Sequence, residues 1–407
     1  MSDCAGCGTI EEIDLRFQDR GKAGMRAPDH DSHNLLRAVV QLRAEGRGKT
    51  ITELAAKVGC WEETIEDARL HGILPLLYSE LAANEAVIPP GALELARSEF
   101  ERNAFHCITN AAELLEVLSE FEKAGIAAMP FKGVVLGASV YGDMTARTAG
   151  DLDVLIYYRD LLRATRILKD RGYELKTKVL EDGSPEADHY FEYHFWRASD
   201  GMVLELRWRL ELAQPRYRHD LGMNWVWPRR RTIKLAGADV PNFDAVSEIL
   251  MLCMHGSKHV WSRLIWICDV AKLLESEPGL DWDTAQGEAK RVGLWRCLAL
   301  GTLLARRVAG APVPPGVLRS FEQDRTARRL AEFLEGNVLD EPGSMPNGRV
   351  PYDIQLMGLR DRIGTVLSFK ILRPTARDRA VVKLPRALDA LYYLIRPFRL
   401  LIDRTGR

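Results

Sequence analysis

The hydrophobic pattern of the chain changes period twice. From residue 32 to about residue 123, apolar positions recur at helical spacing. HNLLRAVVQLRAEG puts Leu35, Val39 and Leu42 on one face, with Asp31-Ser32 available as a cap. TITELAAKVGC is a second such unit, with Thr50 or Thr52 to cap it. WEETIEDARLHGILPLLYSELAANE continues the style, with a break expected at Pro75. After Pro89-Pro90, GALELARSEFERNAFHCITNAAELLEVLSEFEKAG reads as a long helical pattern in more than one piece.

At Gly125 the runs shorten. IAAMPFKG is strand-like, VVLGASVYGD gives a helical turn or two, and GDLDVLIYY is a second strand. YRDLLRATRILKDRGY is an amphipathic helix, with Leu161, Leu162, Ile167 and Leu168 available for burial. YELKTKVL follows. YFEYHFWRASDGMVLELRWRL reads as two strands joined at Ser199-Asp200-Gly201, a hairpin signal. From Asp244 the helical period returns, through AVSEILMLCMHGSKHVWSRLIWICDVAKLLESE and WDTAQGEAKRVGLWRCLALGTLLARRVAG. Pro312, Pro314 and Pro315 close that block, and VLRSFEQDRTARRLAEFLEGN is one more helix.

The fold class expected is α+β: a mixed sheet with helices on one side, embedded between helical regions. The regions expected are a tail at 1–31, a helical region at 32–110, a core at 111–241, a helical domain at 242–338, and a connector with a basic amphipathic tail at 339–407.

Bulk properties narrow this only a little. The chain has 407 residues, 46% hydrophobic and 28% charged, which is ordinary globular composition. A net charge of −1 gives no global bias toward nucleic acid. Seven scattered cysteines suggest reduced thiols and a cytoplasmic setting. Met1 to Arg20 lacks the apolar core of a signal peptide. No apolar run reaches the roughly 20 residues of a membrane span. Cys4-x-x-Cys7 lacks a second ligand pair nearby, so incidental thiols outweigh a zinc site.

Charge is unevenly spread, however. Residues 359–407 hold twelve Lys or Arg against four Asp, +8, so the remainder carries −9. This tail could lie on an anionic membrane surface or bind RNA backbone. The plainer reading is an amphipathic helix docked on the body, its arginines solvated.

The chemistry concentrates between Phe131 and Ile156, FKGVVLGASVYGDMTARTAGDLDVLI. Asp151 and Asp153 are two apart, so on a strand both carboxylates leave one face. Paired carboxylates repel unless a cation sits between them, and Mg²⁺ prefers such oxygen ligands. Glu205, in the strand-like run VLELRW, is a candidate third carboxylate. That holds if its strand lies beside the aspartates; otherwise Glu205 faces solvent. His255 and His259 share a helix face. Asp269 is nearly three turns further along one straight helix, too far to complete a zinc trio. His71 and His106 read as packed or exposed helix residues.

Lys-Gly, a short helix, Arg, then Gly-Asp-hydrophobic-Asp resembles the signature of nucleotidyltransferases of the DNA polymerase beta superfamily. More closely it resembles a bacterial group of nucleotidyltransferase family proteins, and more distantly the nucleotidyltransferase toxins of abortive-infection systems. HGSKHVWSRLIWICDVAKLL is similar to a second motif of the bacterial group. The two motifs frame about Leu114 to Leu274.

The resemblance implies a polymerase-beta-type core and Mg²⁺- or Mn²⁺-dependent transfer of a nucleoside monophosphate from an NTP to an unknown acceptor. By the same likeness Asp151, Asp153 and Glu205 would be metal ligands and catalytic. Lys132, Gly133 and Arg147 would hold the triphosphate, with His255, Lys258 and Arg263 offered from the later helix. Arg147 could instead pair with the aspartates. Lys132-Gly133 stands where the superfamily usually has Gly-Ser or Gly-Gly, and Arg207 where the group would have His. Two rivals remain: a non-catalytic nucleotide-binding scaffold, and a toxin-like enzyme acting on tRNA.

Overall fold

The computed structural model describes residues 30–42, 47–85, 88–180, 183, 191–210, 221–339, 352–357 and 391–392. Cys4-x-x-Cys7 and nearly all of the basic tail lie outside the described residues.

Five strands form the central sheet: β1 (Ala128–Phe131), β2 (Leu152–Ile156), β3 (Glu174–Leu175), β4 (Glu192–Trp196) and β5 (Val203–Arg207). Their spatial order is β1-β2-β5-β4-β3. Only the β2–β5 pair is parallel; β1–β2, β5–β4 and β4–β3 are antiparallel. The fold is therefore α+β with a mixed sheet, as the pattern predicts. The β4–β5 hairpin turns at Ser199-Asp200-Gly201, where Gly201 has φ +74°. A second hairpin went unread in the sequence: β6 (Arg231–Leu235) and β7 (Ala238–Asn242). Ala236 and Gly237 both take positive φ there, the geometry of a tight two-residue turn.

The helices of eight or more residues are α1 (His30–Val40), α2 (Arg47–Ala55), α3 (Trp61–Leu70), α4 (Leu74–Ala83), α5 (Pro90–Lys123) and α6 (Leu161–Asp170). After the hairpin come α7 (Ala245–Lys258), α8 (Leu264–Ser276), α9 (Trp282–Val292), α10 (Trp295–Ala309), α11 (Pro315–Glu322) and α12 (Arg325–Asn337).

Several breaks differ from the sequence pattern. The α3–α4 break falls at Gly72 (φ +71°), and Pro75 sits in the first turn of α4, where a missing N–H costs nothing. The long pattern after Pro89 is one helix of 34 residues. It contains no proline after Pro90 and no glycine after Gly91. The pattern expected as one helix after Pro315 is two, because the Asp324 side chain accepts from the Thr326 and Ala327 N–H groups and starts α12 anew.

Two apolar cores result. The first packs one sheet face (Val154, Ile156, Tyr193, Phe195, Leu204, Leu206) against the second half of α5 and against α6. The second joins the helical regions before and after the sheet into one body. There the Leu42 N–H donates to Ala309 O at 2.7 Å, and Arg37 donates to Glu335 O at 2.9 Å. Met129, Phe131 and Leu155, from the β1 side of the other sheet face, join this second core. Helices therefore cover part of both faces, not one side only. What is left of the second face, on β2, β5 and β4, is polar.

The run AVSEILMLCMHGSKHVWSRLIWICDV is split between α7 and α8 by a reversal at residues 259–263. Val260 and Trp261 take φ +58° and +55°, costly for side chains of that size. The reversal drives Trp261, 1% exposed, back beneath α7. A Cβ at Gly256 would lie 2.4 Å from its ring, and one at Gly301 2.8 Å. The N–H of Leu264, opening α8, donates to His71 Nδ1 at 3.4 Å, so His71 is a packed core residue.

Candidate active site and metal centre

The polar sheet face follows from strand periodicity. On β5, Leu204 and Leu206 point into the first core, so Glu205 and Arg207 point the other way. On β4, Tyr193 and Phe195 do the same and leave Glu192 and His194 on the polar face. On β2, Leu152 and Val154 are core and Asp153 is not. The parallel register sets Asp153 opposite Glu205. Asp151 stands one residue before β2, above Asp153.

The coordinating atoms of Asp151, Asp153 and Glu205 all lie within 4.8 Å of one another. The structure thus brings together the two aspartates and the distant glutamate. The donor set is entirely carboxylate, hard oxygen suited to Mg²⁺ or Mn²⁺, so these residues fit such an ion.

Lys132 follows the last residue of β1, whose Phe131 pairs with Asp153. Its Nζ donates to Asp153 Oδ1 at 3.2 Å. Its backbone is strained (φ 56°, ψ −156°), a conformation that costs on the order of 1–3 kcal/mol and tends to cluster at functional sites. Gly133 follows at φ +42°, and a Cβ there would meet the Asp151 carbonyl at 3.4 Å. It therefore seats the loop that carries Asp151.

Arg207 is the most engaged cation of the face. Its Nε donates to Asp153 Oδ1 at 3.1 Å, and its other nitrogens pair with Glu205 Oε2 and Glu192 Oε2. His194 bridges the opposite sides of two carboxylates: Nε2 to Glu192 Oε1 and Nδ1 to Glu205 Oε1, both 3.3 Å. Glu192 and His194 escaped the sequence reading. The alternation E-Y-H-F-W carried their signal, since it puts both on the face of Glu205.

These contacts set the ionisation. The Glu192 hydrogen bond, then that of Glu205, raises His194 to about 10, so it is a cation at neutral pH. Burial would raise Glu205, but Arg207 and the His194 hydrogen bond outweigh it and hold Glu205 well below the usual range. Burial, then the charges of Asp153 and Glu205, pushes Asp151 up to about 7. Asp153 is also raised, chiefly by burial, with Lys132 acting against it. Two carboxylates that resist charging side by side are what a divalent ion relieves.

The remaining candidates divide. The last turn of α7 carries His255 and Lys258 over this face. Burial, then the Lys132 charge, holds His255 well below its ordinary value. Burial, then the Lys258 charge, lowers His259 to about 3. Both imidazoles are neutral; His255 meets the Trp266 ring edge-on and His259 lies tilted against it. Lys258 acts on Glu192 through its charge. The Arg263 guanidinium lies 5.7 Å from the centre of the Trp266 ring.

Arg147 is engaged away from the carboxylate triad. Its Nε and second terminal nitrogen bind Asp269 Oδ1 and Oδ2, both at 2.9 Å, and its remaining nitrogen reaches Thr148 O at 3.0 Å. The Tyr141 hydroxyl donates to the same Asp269 Oδ1 at 2.9 Å. The guanidinium fork expected on a triphosphate is filled by Asp269, and Arg147 ties the site loop to α8. Asp269 was set aside on the assumption of one straight helix. The reversal at 259–263 is what turns α8 so that Asp269 meets Arg147.

A mixed sheet with Asp151, Asp153 and Glu205 converging from neighbouring strands is the frame of a nucleotidyltransferase core. A family model described as "uncharacterised nucleotidyltransferase" matches residues 59–310, more than half of the chain, and the chain belongs to that family. No curated protein matches it. Among the described residues, no helix is long and apolar enough to cross a membrane.

Proposed function

We propose that this protein is a Mg²⁺- or Mn²⁺-dependent nucleotidyltransferase. It moves a nucleoside monophosphate from an NTP to an acceptor hydroxyl or phosphate on a small molecule, peptide or sugar, with release of pyrophosphate. The observation that carries this reading is the parallel register that sets Glu205 against Asp153, with Asp151 within ligand distance of both. In the reaction, an acceptor oxygen bonds to the α-phosphorus while the bond to the α–β bridging oxygen breaks. Pyrophosphate leaves with that electron pair, and the acceptor proton passes to one carboxylate of the triad.

Asp151 and Asp153 would hold the divalent ion, which when bound polarises the phosphate and neutralises the leaving oxygen. Lys132 supplies positive charge to the triphosphate, and Gly133 permits close backbone approach. Lys258 overhangs the same face from α7. The protein's share of the work is positioning and charge neutralisation.

The test uses Asp151→Asn. The Asp151 carboxylate makes no hydrogen bond among the described residues, so the change removes a charge and little structure. Each labelled NTP is incubated with Mg²⁺ and a cell extract, and label transfer and pyrophosphate are followed. Wild type is expected to label an acceptor and the variant to lose the activity. Undiminished turnover by Asp151→Asn would end the assignment.

A second reading, nucleotide binding without turnover, is favoured by one observation: His194 and Arg207 together engage both oxygens of Glu205. It predicts NTP binding with no pyrophosphate across a broad acceptor screen. Contacts of the basic tail with RNA or an anionic membrane are separate proposals. They are tested by co-sedimentation of the full chain, and of a chain ended near Pro351, with liposomes or RNA.

A further inference from the structure

A site of this type is ordinarily a symmetric clamp of two divalent ions about 3.5–4 Å apart, bridged by shared carboxylates. The contacts on the polar face divide the carboxylates unevenly. Glu205 has both oxygens taken, Oε2 by Arg207 and Oε1 by His194. Asp153 has Oδ1 taken by Lys132 and Arg207, while Oδ2 accepts no hydrogen bond among the described residues. Asp151 has both oxygens free in the same sense. Lone pairs suited to an ion are therefore gathered at Asp151 and Asp153 Oδ2. The Glu205 side is filled by a guanidinium.

Arg207 is 8% exposed and its side chain is fixed by carboxylates from three strands: Asp153 on β2, Glu205 on β5 and Glu192 on β4. A guanidinium is charged at all working pH values and offers a planar fork of donors, so it is a permanent occupant.

We infer that the site takes a single divalent ion, held by Asp151 and Asp153, and that Arg207 is the fixed cation standing where the Glu205-side ion would be. The inference rests on the nucleotidyltransferase reading and adds the ion stoichiometry. Arg207 then does the electrostatic work of an ion that never has to be recruited. Lys132 and Arg207 share Asp153 Oδ1 while Oδ2 serves the ion.

The test counts ions. Mn²⁺ is titrated into the full chain, alone and with a non-hydrolysable ATP analogue, and bound Mn²⁺ is followed by electron paramagnetic resonance. Wild type is expected to bind one Mn²⁺ per chain when the analogue is present, with no spin coupling between ions. Arg207→His and, independently, Arg207→Gln vacate the Glu205 side, so each folded variant should raise the count to two with a coupled spectrum. His194→Gln keeps the Arg207 contacts and should leave the count at one. Two coupled ions in wild type would overturn the single-ion inference and leave the nucleotidyltransferase reading standing. One ion in the folded Arg207 variants, or two coupled ions in His194→Gln, would overturn the role given to Arg207. No Mn²⁺ bound under either condition would sink the metal-dependent reading itself.

Discussion

The Arg147–Asp269 pair separates two roles that one arginine could play, and Asp269→Asn tests which it has. Asp269 is 1% exposed and Arg147 7%. Two hydrogen bonds of 2.9 Å join them in a fork, and Tyr141 adds a third to the same carboxylate. Asparagine keeps the shape but offers one acceptor where the fork needs two, and it turns an amide donor toward a guanidinium donor. It also leaves the Arg147 charge buried without its partner. Breaking a buried pair from one side costs roughly 3–5 kcal/mol. At about 1.4 kcal/mol per decade, the folded-to-unfolded ratio falls roughly 10²- to 10⁴-fold.

The assay is urea unfolding of wild type, Asp269→Asn, Arg147→Met and Arg147→Met/Asp269→Leu, read as a double-mutant cycle. The single variants should each lose several kcal/mol, and the double variant should lose much less than their sum. NTP affinity is measured on the same proteins under folded conditions. A brace predicts large losses of stability with strong coupling. A triphosphate ligand predicts near-wild-type stability for Arg147→Met with a clear loss of NTP affinity, and that pattern would refute the structural reasoning.

Other perturbations follow from single contacts. Gly256→Ala puts a Cβ 2.4 Å from the buried Trp261 ring, which Gly301 confines on another side. Overpacking should cost about 1–3 kcal/mol and outweigh the helix gain from alanine, so a melting temperature equal to or above wild type would contradict the packing. Glu248, 1% exposed and bound at 3.0 Å by Arg231, is raised to about 7 because burial outweighs that arginine. A raised carboxylate contributes stability that is complete below its ordinary value near 4.5 and is lost as pH rises through about 7. Between pH 4.5 and 8, Glu248→Gln should therefore gain on the order of 3 kcal/mol over wild type in unfolding free energy. Parallel pH curves for the two proteins would count against it.

The legible parts of the sequence were those in which local pattern and final position agree. Asp151 and Asp153 could be placed on one face from spacing alone, because strand period is fixed by backbone geometry. The Ser199-Asp200-Gly201 turn announced the β4–β5 hairpin for the same reason. Glu205 needed more. Its face was readable, but its neighbour was not, since parallel register is set by distant packing of β2 and β5. Glu192 and His194 were as legible as Glu205, since the same strand alternation puts them on its face. The Arg147 contact was illegible for a different reason: its partner Asp269 lies 122 positions away, beyond a reversal that two left-handed non-glycine residues make. Local propensity argues against such a reversal at Val260 and Trp261. Only the fit of the Trp261 ring against Gly256 and Gly301 makes it favourable.

That reversal also explains why two separated motifs belong to one signature. The first supplies the loop from Lys132 to Asp153, and the second supplies α7, the reversal and α8. Arg147 and Tyr141 from the first meet Asp269 from the second, while the α7 end of the second overhangs Lys132 and Arg207. Thr148, in the same loop, donates to Gly72 O at 3.1 Å, and His71 accepts the Leu264 N–H, so the N-terminal helices are tied in at the same point. Asp151 therefore stands on a loop held from below by the sheet, which carries Asp153 and Glu205, and from the side by both helical regions. A single ion clamped between Asp151 and Asp153 as inferred above, with a fixed guanidinium on the far side, would need such rigidity. Arg207 cannot move aside as a hydrated ion can, so the Asp151 loop must hold its distance from it.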